Sequence, residues 1–96
     1  MNKLIFEWDI RKETENIKKH NVCFLDAKIA FYDPQRIIVI DEKHSKNEPR
    51  LFCIGKTDKG ILTVRFIYRN NIIRIFGAGY WRKGNKIYEK NNQRQE

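Results

Sequence analysis

The sequence predicts an α+β domain: a four-stranded antiparallel sheet, two N-terminal helices packed on its apolar face, and a C-terminal helix. Three observations carry that reading. Apolar residues follow helical spacing as far as residue 31 and strand-like runs from residue 36, with Asp33-Pro34 as the breaker between them. Two polar turns, Thr57-Asp58-Lys59-Gly60 and Asn70-Asn71, punctuate the second half at hairpin spacing. A chain of 96 residues lies below the size at which cores split, so a single domain over 1–96 is expected.

The elements follow in order. Leu4-Ile5-Phe6-Glu7-Trp8 is a short extended lead to Asp9, whose carboxylate is placed to accept from the first free amides of a helix. That helix covers 10–20, with Ile10 and Ile17 on one face, Lys12, Glu13, Glu15, Lys18 and Lys19 solvated, and Asn21 as its stop. A second helix over about 24–31 places Phe24, Ala27, Ala30 and Phe31 at helical spacing. Residues 36–41 are β-branched and continuously apolar in the centre, as an interior strand would be.

A polar loop, 42–49, leads to a strand over 50–56. Gly60 permits the left-handed backbone of a three-residue hairpin loop, and Asn70-Asn71 suits a two-residue turn between strands 61–68 and 72–77. Gly77-Ala78-Gly79 ends the sheet, residues 80–90 form the last helix, and the polar tail 91–96 frays.

The charge is the unusual property. Lys and Arg number 20 against 12 Asp and Glu, leaving +8. Residues 1–48 carry 9 basic and 9 acidic side chains, whereas residues 49–96 carry 11 basic and 3 acidic. An excess confined to one half points to a polyanionic partner, such as RNA, DNA, an anionic membrane or an acidic protein segment; solubility alone is the alternative. The start has too short an apolar run for a signal peptide, and no stretch is long enough for a membrane helix. Cys23 and Cys53 stand 30 apart without a CxxC pair and read as reduced packing thiols. The chain reads as cytoplasmic, without cofactor or metal.

Period-two sorting of the last hairpin separates its residues sharply. Leu62, Val64, Phe66, Tyr68, Ile73, Ile75 and Gly77 form an uncharged set that needs cover. Thr63, Arg65, Ile67, Arg69, Ile72, Arg74 and Phe76 point the other way, and a turn at Asn70-Asn71 sets Arg74 opposite Ile67 and diagonal to Arg65. Guanidinium forks match phosphate oxygens, and an aromatic beside them stacks a base. The same arginines would also serve simply to solvate an open sheet face. Arg50, at the head of the preceding strand, and Arg82, Lys83 and Lys86, opening the last helix, extend the basic set.

His20 sits where a helix C-terminus favours an imidazolium, so capping competes with a functional role. His44 lies in the loop Asp41-Glu42-Lys43-His44-Ser45, as a solvated side chain or a general acid. No metal-ligand spacing, Gly-rich phosphate loop, GxSxG elbow or paired-carboxylate signature is present.

Several features in order resemble one family. Phe6-Glu7-Trp8-Asp9, Asn16, Lys19-His20-Asn21-Val22, Phe24 with Ala27, Phe31 with Asp33-Pro34, His44-Ser45 with Glu48 and Arg50, Ile54-Gly55, Gly60 and Arg74-Ile75 are similar to BrnT, the toxin of the BrnT/BrnA type II toxin–antitoxin system. The likeness runs from Phe6 to Tyr88. It implies a RelE-like fold, an endoribonuclease that stops growth by cutting RNA, and a cognate antitoxin that neutralises it in a hetero-oligomeric complex and binds operator DNA.

The implied chemistry needs no metal: the ribose 2′-hydroxyl attacks the adjacent phosphate, cations stabilise the added charge, and an acid protonates the leaving oxygen. Candidates for catalysis are Arg65, Arg74, Arg82, Lys83, His20, His44, Tyr80 and Tyr88; candidates for RNA binding are Arg50, Arg69, Phe76 and Lys86. The chain departs from the family in two places. Gly77-Ala78-Gly79 stands where Ser-Ala-Arg is usual, and Asn85 where a Glu is usual, with Tyr88 retained. Arg82, Lys83 and Tyr80 are the candidates to replace the missing Arg. A non-catalytic nucleic-acid-binding module and a module receiving an acidic protein segment are the alternative functions.

Overall fold

The structure, a computed structural model, describes residues 3–93; the first two residues and the last three of the expected frayed tail lie outside it. The chain runs β1 (Ile5–Trp8), α1 (Ile10–His20), α2 (Phe24–Ile29), a 3₁₀ turn (Ala30–Tyr32), β2 (Ile37–Ile40), a second 3₁₀ turn (Glu42–His44), β3 (Leu51–Thr57), β4 (Gly60–Arg69), β5 (Ile72–Gly79) and α3 (Arg82–Gln93).

The sheet has five strands in the order β1-β5-β4-β3-β2, and it is mixed. This corrects the expected four antiparallel strands: the extended lead is itself a strand, pairing parallel with β5 through Ile5 with Ile72 and Trp8 with Ile75. A parallel pair joins segments distant in sequence through a crossover, so no local turn announces it. β2 is also corrected. It pairs only with β3 and lies at the sheet's edge, leaving Ile38 and Ile40 at 45% and 60% exposure.

The caps are local chemistry. Asp9 accepts from the Arg11 amide at 2.8 Å, a bond that holds its carboxyl below the usual carboxylate range. Asn21 ends α1 in the left-handed region, φ 57°, donating its N–H to Ile17. α2 has no capping side chain of its own; Glu13, from α1, accepts the Phe24 amide at 2.9 Å instead. The expected second helix divides at Ala30, where its last turn tightens to 3₁₀ ahead of Asp33-Pro34.

One sheet face carries the core. Phe24, Ala27, Ala30 and Phe31 from α2 and its 3₁₀ turn cover Cys53, Leu62, Val64, Phe66, Ile73, Ile75 and Ala78, with Phe6 and Trp8 packed beside them. Truncating fully buried Phe24 or Phe66 to Ala would cost about 3–5 kcal/mol. α1 contributes no side chain to this cluster. Ile10 and Ile17, its expected buried pair, are 69% and 43% exposed, and its one buried residue is Asn16. Only α2, not both N-terminal helices, packs on the apolar face.

α3 lies on the opposite face. Gly84 lets it approach so closely that an added Cβ would stand 1.9 Å from Thr63 Oγ1 and 3.8 Å from Ile54. The sheet also continues through Gly79, two residues beyond the expected end, because Gly77, Ala78 and Gly79 pair with Arg65, Val64 and Thr63.

Candidate active site

The β4–β5 hairpin carries the cationic face. Asn70 and Asn71 take φ 52° and 66°, the left-handed pair of a two-residue turn, and Arg74 stands opposite Ile67. A bulge interrupts simple alternation: Arg65 pairs with Gly77 and Phe66 with Ile75, which leaves Phe76 as the extra residue. Gly77 therefore lies opposite Arg65 rather than in the core, and Ala78 takes the core position.

Three arginines on one face have three different environments. The Arg69 guanidinium holds Glu48 through two bonds of 2.7 and 3.2 Å, keeping that carboxyl below its usual range. Arg74 binds Glu7, brought alongside by the parallel β1, at 3.0 Å. Among the described residues, Arg65 makes no ion pair. Its guanidinium lies 5.0 Å from the centre of the Phe76 ring, and Arg50 lies at the same distance from that ring. Two charge-bearing forks thus share one aromatic platform.

α1 closes this platform into a cleft of about 220 Å³, lined by Lys12, Glu15, Asn16, Lys19 and His20 from the helix, Arg50, Arg65, Phe76 and Gly77 from the sheet, and Trp81. Positions 12, 16, 19 and 20 recur with the helical period, which puts Lys12, Lys19 and His20 on the side that Asn16 anchors. Lys12, Glu15 and Lys19, read from sequence as merely solvated, are the residues that sequence reasoning missed, together with Trp81. Their one signal was a polar stripe at helical spacing centred on Asn16 instead of an apolar one. The His20 ring meets Trp81 edge-to-face with centroids 5.1 Å apart.

His20, Arg50, Arg65 and Phe76 are thereby brought together, and the other sequence candidates are not. His44 sits in the neighbouring loop, its Nδ1 2.7 Å from Oδ2 of buried Asp41, in a second cleft of about 310 Å³ that shares Arg50 with the first. Ser45 Oγ accepts from the Arg50 amide at 2.9 Å and donates to the Asp41 carbonyl at 2.7 Å, closing that loop. The Tyr80 hydroxyl is 3.0 Å from Thr57 Oγ1. Tyr88 donates to Asp33 at 2.6 Å; burial and that bond push its phenol up to about 12. Arg82, Lys83 and Lys86 lie on α3 and do not line the basic cleft.

Gly79 has a structural counterpart. A Cβ there would stand 2.5 Å from the Trp81 indole, so the space of a side chain at 79 is filled by Trp81 and not by Arg82, Lys83 or Tyr80. Cys53 is fully buried, with its thiol pushed up to about 12 by burial, so it is inert as a nucleophile at neutral pH.

Chemically, the cleft combines at least four cations, one carboxylate, one imidazole and two aromatic surfaces. Phosphate would be held by the guanidiniums, with His20 within the same cleft to exchange a proton. No helix among the described residues is long and apolar enough to cross a membrane. A search of curated proteins gives no match. Among family models, residues 8–85 match the ribonuclease toxin, BrnT, of type II toxin–antitoxin systems. That span takes in every residue lining the basic cleft and most of the chain, and the protein therefore belongs to the BrnT ribonuclease toxin family of type II toxin–antitoxin systems.

Proposed function

We propose that this protein is a metal-independent endoribonuclease that cleaves RNA in the cleft between α1 and the β4–β5 hairpin. The observation that supports the reading is the meeting of His20 from the helix with Arg50 and Arg65 from the sheet in one cleft, three residues that strand alternation, position along the chain and the family resemblance had each marked as candidates. Arg50 and Arg65 hold the scissile phosphate and stabilise the charge that accumulates as the ribose 2′-oxygen bonds to phosphorus. Glu15, the carboxylate lining the cleft, accepts the 2′-hydroxyl proton, and His20 donates a proton to the departing 5′-oxygen. The 2′-oxygen–phosphorus bond forms and the phosphorus–5′-oxygen bond breaks, leaving a 2′,3′-cyclic phosphate and a 5′-hydroxyl. Lys12 and Lys19 extend the positive field along the flanking backbone.

The toxin family brings with it an antitoxin partner and an RNA substrate. We infer further that the partner neutralises the protein in the cytoplasm by covering this cleft and carries the complex to operator DNA. Purified protein incubated with total RNA, with and without EDTA, tests the enzymatic reading. Cleavage that survives EDTA and is lost in His20→Ala and in Arg65→Ala is expected. Intact RNA, together with unimpaired growth on induced expression without antitoxin, would overturn it in favour of a non-catalytic RNA-binding module, which would still show salt-sensitive affinity.

A further inference from the structure

Trp81 belongs to two clefts at once. One is the basic cleft; the other, of about 260 Å³, lies between the β2–β3 edge of the sheet and α3, with Val39, Phe52, Ile54 and Ile87 as its apolar walls and Lys83 beside them. The two are continuous along the sheet as well, since Phe52 is the cross-strand partner of Arg65 and the two share a face. The indole is held in place. It packs against the bare Gly79 backbone, where an added Cβ would stand 2.5 Å away, and meets the His20 ring edge-to-face. An apolar concavity with two aromatic walls, Phe52 and Trp81, therefore opens beside the cleft proposed to hold phosphate.

We propose that this apolar cleft is a nucleobase subsite, receiving the base of the nucleotide whose phosphate lies between Arg50 and Arg65. The proposal rests on the RNA-cleaving reading of the basic cleft. The occupant follows from connectivity: a base is tethered to its phosphate by one ribose, and the apolar cleft adjoins the phosphate site through the shared Trp81 wall. Aromatic surfaces accept every base, because each presents a flat π face. The one hydroxyl among the lining residues, Thr63 Oγ1, is buried against α3 without a hydrogen-bond partner among the described residues, so it is shielded from an incoming base edge. Recognition is consequently by stacking and shape, and base preference is modest.

Calorimetric titration with each of the four 3′-nucleoside monophosphates, beside inorganic phosphate, tests the subsite without reference to cleavage. A Trp8→Phe background isolates Trp81 fluorescence as a second readout. Nucleotides are expected to bind about 10-fold or more tighter than inorganic phosphate and to change Trp81 emission. Val39→Phe, which narrows the cleft from the edge strand, is expected to lower nucleotide affinity about 10-fold while shifting phosphate affinity less than about two-fold. Ile87→Phe narrows it from the helix side and serves the same purpose if the first variant does not fold. Equal affinity for nucleotides and phosphate, or nucleotide affinity unchanged in a folded variant, overturns the subsite even if RNA is cut. Nucleotide binding without RNA cleavage leaves the subsite standing and overturns the ribonuclease reading alone. If nucleotides do not bind and an antitoxin protects Trp81 from quenching, the cleft is a protein-docking surface and the proposal fails.

Discussion

The side-chain amide of Asn16 pairs with both backbone groups of Ala78: its nitrogen donates to the Ala78 carbonyl at 2.9 Å and its oxygen accepts the Ala78 amide at 3.1 Å. β1 pairs with β5 only as far as Ile75, so Ala78 presents its outward N–H and C=O where no strand continues. Asn16 supplies the missing strand's pattern from a helix, and its nitrogen also donates to the Val22 carbonyl at 2.9 Å. The same residue thus seals a sheet edge and fixes the helix whose next turn carries Lys19 and His20 into the cleft. Asn16→Ala is expected to cost about 3 kcal/mol, because buried backbone groups lose their partners. Asn16→Asp removes both donations and should not rescue it. Chemical denaturation of the purified variants measures both.

The arginines should separate in activity according to their partners. Arg65→Ala, which removes from the cleft a guanidinium that has no ion pair among the described residues, is expected to reduce RNA cleavage about 100-fold. Arg69→Ala, which removes the exposed partner of Glu48, should leave cleavage within about two-fold. Initial rates on a labelled RNA at fixed salt measure the difference, and equal losses would count against the placement of phosphate by Arg65.

Tyr88 and Asp33 link stability to pH at both ends. The Asp33 carboxyl is raised by burial but lowered more by the Tyr88 hydroxyl and the Lys56 and Gln35 amides, for a net fall below its usual range. Its contribution is present above the unfolded carboxylate pKa and disappears as pH falls through the lower folded value. Tyr88 is raised from 10 to about 12, so its contribution is complete below pH 10 and lost as pH rises toward 12. Tyr88→Phe should destabilise by roughly 1.5 kcal/mol at neutral pH and flatten the alkaline limb of a melting-temperature profile.

Close approach at Gly84 sets helix propensity against packing. Gly84→Ala would gain about 1 kcal/mol of intrinsic helicity. The new Cβ would nevertheless meet Thr63 Oγ1, and a net loss of stability is expected. Thr63→Ala in the same chain removes the obstructing hydroxyl and should recover most of that loss. A double-mutant cycle by denaturation measures the coupling.

At the β4–β5 turn both Asn residues hold positive φ, where a β-branched side chain is strained. Asn71→Val is expected to cost about 1–2 kcal/mol, and Asn71→Gly to be neutral or slightly stabilising. Thermal melts of the two variants distinguish a turn that depends on this backbone from one that does not.

Most of the element types were legible in the sequence, because caps, turns and hydrophobic periods are short-range chemistry. Asp9 and Asn21 bound α1 as their side chains require, Asn70-Asn71 set the hairpin register, and that register put Arg65, Arg69 and Arg74 on one face. The BrnT resemblance was legible too, in the order of small motifs along the chain.

What periodicity could not decide was anything joined across long separations. Glu7 neutralises Arg74 because β1 inserts beside β5, 67 positions away, and Asn16 reaches Ala78 across 62. Ile10 and Ile17 follow the apolar period yet face solvent, since α1 is held by that polar anchor rather than by the core. The bulge at Phe76 moves Gly77 opposite Arg65, and Trp81 fills the space above Gly79. Short-range chemistry along the chain settles which cations and turns this protein has, but the three-dimensional return of the chain is what leaves Arg65 beside His20 with no ion pair among the described residues. Local spacing reports neighbours within a turn or a strand, whereas ion pairing and cleft formation depend on where the folded chain returns to itself.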